Sequence, residues 1–124
     1  MFSKEINNDN VNKLEIYTKG ILFDYCFVLD DNINLEPHVG KIPYLGDTKA
    51  EVLAIVKALE YLESFQIKHD PIHIYTCKNA IDFINGCIYE RKNDKLTQNI
   101  LLLISNKNVK FFDCKNNIAN GYIE

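Results

Sequence analysis

The stretch Thr48 to Cys77, TKAEVLAIVKALEYLESFQIKHDPIHIYTC, decides how the rest of the chain is read. Val52, Ile55, Val56, Leu59, Leu62 and Phe65 recur at helical spacing, while Lys57, Glu60 and Glu63 fall mostly on the other side. That pattern predicts one amphipathic helix, starting at Asp47 or Thr48, with an apolar stripe buried on a sheet. His69, Asp70 and Pro71 break it, and Ile72 to Thr76 resumes as a buried strand. Upstream, Leu14, Ile16 and Thr18 alternate with Glu15, Tyr17 and Lys19, the period of two of a strand that would lie beside it.

Outward from this unit, Gly20 is positioned for a tight change of direction, and Ile21 to Leu29 is β-branched and aromatic enough for a second strand. Asp30, Asp31 and Asn32 signal a turn, so Ile33 to about Lys41 returns as a hairpin arm, with Pro37 confining it to a sheet edge. Beyond Cys77 the pattern predicts a helix from about Asn79 to Tyr89, a polar break at residues 91–94 and a third helix from Lys95 to Ser105. The run ILLLI inside that last segment could by itself be a strand. Val109 to Cys114 is the final strand. Right-handed parallel crossovers then predict an α/β fold: a mixed five-stranded sheet in the order 3-2-1-4-5, flanked by about three helices.

Size and charge bound the function. A chain of 124 residues with 47% hydrophobic content suits one domain spanning residues 1–124, with residues 1–11 as a loose lead-in. No apolar run approaches the roughly 20 residues of a membrane-spanning helix, and MFSKEINNDN lacks the apolar core of a signal peptide. Cys26, Cys77, Cys87 and Cys114 are scattered without metal-site spacing, which fits free thiols in the cytoplasm. His38, His69 and His73 also lack ligand spacing, and the strand aromatics Tyr17, Phe23, Tyr25, Phe27, Tyr75, Phe111 and Phe112 are expected in the core. A net charge of -3 argues against holding a phosphate backbone by charge alone, and Arg91 is the sole arginine. A local basic patch around Lys78, Arg91, Lys92 and Lys95 remains.

In order and spacing, four motifs resemble the ribonuclease H family. IYTKG, Ile16 to Gly20, stands where that family has a segment like IYTDGS, and AEVLAIVKALE, Ala50 to Glu60, is similar to its glutamate-bearing first helix. Thr76, Cys77 and Lys78 stand in place of its TDS segment, and FFDCKNNIANGYIE puts Asn120 and Glu124 at its closing asparagine and aspartate. The resemblance covers nearly the whole chain from Leu14 to Glu124, and implies the family's sheet and a site at the ends of the two central strands. In the family four carboxylates hold two magnesium ions there, one activating water and the other stabilising the leaving oxygen.

Carried over residue by residue, those carboxylates become Lys19, Glu51, Cys77 and Glu124. An ammonium repels a cation and magnesium binds thiolate poorly, so the resemblance implies a degenerate site with no metal and no cofactor. The chain would then be a binding or interaction module. Its partner would be a protein, a second copy or a nucleic acid held by Lys19, Lys78, Arg91 and Lys92, with no membrane. The alternative is a divergent ribonuclease H that cleaves the RNA of RNA–DNA hybrids with magnesium or manganese on Glu51 and Glu124, helped by Asp24 or Asp113. A purely structural reading stands beside both: Thr48-x-x-Glu51 matches a capping box, in which Glu51 returns to its own helix terminus and needs no metal.

Overall fold

The computed structural model describes residues 13–65, 68–90 and 95–123. The elements follow in the order β1 (Leu14–Ile21), β2 (Asp24–Asp30), β3 (Leu35–Lys41), α1 (Asp47–Ser64), β4 (Ile72–Thr76), α2 (Lys78–Glu90), α3 (Lys95–Ile104), β5 (Val109–Asp113) and α4 (Asn120–Ile123). The sheet order is β3-β2-β1-β4-β5, the expected order, which satisfies the crossover rules. The pairs β1–β2 and β2–β3 are antiparallel, while β1–β4 and β4–β5 are parallel, with Tyr17 opposite Tyr75 in the central pair. The run ILLLI lies within helix α3.

The period-two alternation sets the two faces of the sheet. Leu14, Ile16, Phe27, Leu29, Ile72 and Ile74 face the helices and meet Val52, Ile55, Val56, Leu59 and Leu62 of α1. Ala80 and Ile84 of α2 and Ile100 and Leu103 of α3 complete this core. The wide buried stripe of α1 includes Ala50, Ala54 and Ala58, small residues that let neighbouring segments approach closely. On the opposite face Cys26 and Val28 are covered by Ala119, Tyr17 and Ile123.

Beside that patch, rings from adjacent strands form a ladder. Tyr17 stacks on Tyr75 at 4.8 Å and Tyr75 on Phe112 at 5.2 Å, centroid to centroid. Both tyrosine hydroxyls donate to the Glu15 carboxylate, at 3.3 Å from Tyr17 and 2.7 Å from Tyr75. Burial first, and then Glu15 through its charge and its hydrogen bonds, push both phenols up to about 12.

Two expectations are corrected, and one element is added. Gly20 lies inside β1 and does not turn the chain, which reverses at Leu22 and Phe23 with Leu22 at φ 54°. A Cβ on Gly20 would fall 1.9 Å from the Ala50 carbonyl oxygen, so the glycine is required by the approach of α1. Phe23 and Phe112 are exposed rather than core. The short α4 was not expected; Asn117 starts it by accepting the Ala119 N–H on its side-chain oxygen at 2.9 Å.

Gly20→Ala is expected to destabilise the fold by about 3 kcal/mol, the upper part of the overpacking range, in urea unfolding. The two phenols keep their protons longer in the folded than in the unfolded chain. Their contribution to stability is therefore complete below pH 10 and is lost as pH rises to about 12. Unfolding measured across that window is expected to show the loss, and Tyr75→Phe is expected to reduce it.

Candidate functional site

β1 and β4 run in parallel and end at the same edge of the sheet, where α1 begins. Lys19, Glu51, Cys77, Lys78, Asp113 and Lys115 line one cleft there, about 680 Å³ in volume, together with Asp47, Thr48 and the Gly20 backbone. The sequence-derived trio Lys19, Glu51 and Cys77 therefore shares a single cavity. Glu124, Arg91 and Lys92 lie outside the described residues.

Glu51 does not cap its own helix. The N-cap is Gly46, with no side-chain cap, so helix α1 starts at Asp47 and Glu51 falls in its fifth position, beyond the reach of a capping box. Its carboxylate turns to β1 instead. Oε1 accepts the Gly20 N–H at 2.8 Å, and Oε2 lies 3.5 Å from the Lys19 ammonium. The two side chains are only 10% and 9% exposed, so this is a buried ion pair tied to the backbone of the central strand.

Cys77 follows the last residue of β4. Burial pushes its thiol above the ordinary value and the adjacent Glu51 carboxylate pushes the same way, against the lowering pull of the Ala80 and Asn79 amides at the start of α2. The sulfur is therefore a neutral thiol at neutral pH. Lys78 pairs with Asp82 one helical turn on, at 3.0 Å, with its side chain largely in solvent. Asp113 reaches the cleft, whereas Asp24 pairs with Lys41 at the far end of the first hairpin turn and does not line it.

Sequence reasoning missed Asn117. Its Nδ2 lies 3.0 Å from the Cys114 carbonyl, 3.2 Å from that of Thr18 and 3.3 Å from that of Tyr75. It thus bridges β1 and β4 where their pairing stops. The side chain of Asn120, the position suggested by the resemblance, donates to Asn116 Oδ1 at 3.3 Å and its backbone N–H to the Asn117 carbonyl at 3.0 Å. Two adjacent asparagines after a strand carry no periodicity, so nothing local distinguishes the one that reaches back.

Paired divalent cations need several converging anionic oxygens. The described cleft offers a buried ammonium, a protonated thiol, the Glu51 carboxylate already engaged by an N–H and that ammonium, and the carboxylates of Asp47 and Asp113 on its lining. Among the described residues no group of three or more His, Cys, Asp or Glu side chains is placed to hold a metal ion. This donor set does not fit the two-metal arrangement implied by the resemblance.

No protein-family model and no curated protein sequence matches the chain. Solved structures do match. LC11-RNase H1 in complex with an RNA/DNA hybrid is 19% identical, with a TM-score of 0.64 over 83% of this chain and 86% of that one. RNase H1 from the halophilic archaeon Halobacterium salinarum NRC-1 is 13% identical, with a TM-score of 0.59 over 82% and 86%. The chain has a ribonuclease H-like fold. No helix among the described residues is long and apolar enough to cross a membrane.

Asn117→Ala is expected to cost about 2 kcal/mol in urea unfolding, because it removes the amide that bonds the Thr18, Tyr75 and Cys114 carbonyl groups. Alkylation of Cys77, followed by peptide mapping, is expected to be slow at neutral pH. Its rate should climb about tenfold per pH unit until the pH passes the raised value of the thiol.

Proposed function

We propose that this chain is a ribonuclease H-like domain that has lost two-metal cleavage and works in the cytoplasm as a binding module for a protein partner. The observation that carries the reading is the Lys19 ammonium 3.5 Å from Glu51 inside the cleft. A fixed positive charge there opposes the cations on which phosphodiester cleavage of this type depends. Cys77, held neutral, supplies no compensating anion.

A protein partner is favoured by charge and by surface. The net charge is -3, and the cleft's basic side chains are accompanied by Asp47, Glu51 and Asp113, so it is no cationic groove. Leu22, Phe23, Tyr44 and Leu45 are all about half exposed on the two loops that lead into the cleft lining, with the Phe23 and Tyr44 rings 5.8 Å apart. Exposed aromatic and aliphatic side chains gathered in this way suit protein contact.

One observation favours a second reading, that of a divergent hydrolase cleaving RNA in RNA–DNA hybrids: Asp113 lines the same cleft as Glu51 and could join Glu124 as a substitute ligand. Its nucleic-acid arm draws on the neighbour whose structure is a complex with an RNA/DNA hybrid.

Incubation of the pure protein with a labelled RNA–DNA hybrid and magnesium or manganese is expected to give no cleavage above a Glu51→Ala control. Cleavage that disappears in that control would establish the second reading. A gel-shift series with the same hybrid is expected to show no salt-sensitive complex; a complex that weakens steeply with salt would replace the protein partner by nucleic acid.

A further inference from the structure

We infer that Lys19 is the resident cation of this site: its ammonium does for Glu51 what a bound metal would otherwise do, and its removal in favour of a carboxylate turns the cleft into a divalent-ion site. The inference rests on the reading of the cleft as one that has lost its metals.

The burial of Lys19 is the starting point. Lysine normally keeps its ammonium in water while its methylenes cover apolar surface. Here the side chain is 9% exposed at the end of a central strand, a position with a desolvation cost that only a nearby anion can offset. Glu51 has the complementary need. Its Oε1 is occupied by the Gly20 N–H and the Cys77 thiol is a further hydrogen-bond partner, but neutral donors do not cancel the charge of a buried carboxylate. The ammonium near Oε2 does.

The remaining lining explains why a cation is needed at this point. The cleft carries three acidic side chains, Asp47, Glu51 and Asp113, against three lysines, Lys19, Lys78 and Lys115. Lys78 is turned out to Asp82, so Lys19 is the basic group set deepest among the acids. With a carboxylate at position 19 the balance becomes acidic around Glu51, and hard oxygen ligands come together where an ammonium sat. That is the ligand chemistry of magnesium or manganese.

A double-mutant cycle tests the first half. Lys19→Met and Glu51→Gln are each expected to lower the folding constant about 100-fold in urea unfolding, as breaking a buried pair does. The double variant is expected to lose far less than the product of the two. Losses that simply multiply would overturn the resident-cation role, without touching the absence of hybrid cleavage. Thermal unfolding with added manganese tests the second half: the parent is expected to show no rise in Tm, Lys19→Asp a rise that saturates with metal, and Lys19→Asp with Glu51→Gln none. A saturable rise in the parent that Glu51→Gln abolishes would refute the inference, as would a folded Lys19→Asp variant indifferent to manganese. If Lys19→Asp does not fold, the cycle on the neutral variants decides the matter alone.

Discussion

The approach of helix α1 to strand β1 is the constraint from which the site follows. With only hydrogen on the Gly20 Cα, the Ala50 carbonyl comes to a distance that any Cβ would forbid. That approach sets Glu51 directly over the Gly20 N–H, which its carboxylate accepts at 2.8 Å. Once the carboxylate is fixed and buried there, it requires a positive charge, and the residue before Gly20 provides one. The parallel pairing of β1 with β4 then brings Cys77 to the same edge, and Asn117 holds the two strands at the point where their ladder ends.

Most of the fold was legible because its signals are periodic. The alternation in Leu14 to Lys19 and the helical spacing from Val52 to Leu62 each identify a face, and the order 3-2-1-4-5 satisfies the handedness of parallel crossovers. The placement of Lys19, Glu51 and Cys77 in one cleft could be anticipated because it follows from strand ends and crossovers rather than from side-chain detail. What was misread depends on contacts between distant segments. Gly20 looks like a turn residue in isolation, and only the presence of α1 against it reveals the steric reason for glycine. Thr48-x-x-Glu51 satisfies a local capping rule, but the helix begins at Asp47, and β1 offers Glu51 an N–H and an ammonium that its own terminus cannot match. The bridging role of Asn117 and the single turn of α4 have no period to detect.

Two electrostatic arrangements can satisfy the same frame. A carboxylate at position 51 can be balanced by divalent ions held among further carboxylates, or by one ammonium supplied by the chain. The first leaves the cations accessible to water and a phosphodiester, which makes chemistry available. The second closes the charge balance internally, and the cleft that results is nearly neutral and carries aliphatic and aromatic side chains on its bordering loops. A protein partner can use such a surface without displacing any ion.

The buried pair also gives Glu51 a place in the fold that does not depend on catalysis. Glu51 has a structural task, the bond to the Gly20 amide, that is independent of whatever neutralises its charge. Any cation near Oε2 is compatible with that task, which depends on the contact of β1 with α1. A glutamate in this place is therefore a statement about how the first strand meets the first helix. Activity must be judged from the groups that surround it, and here the nearest ones are an ammonium and a protonated thiol.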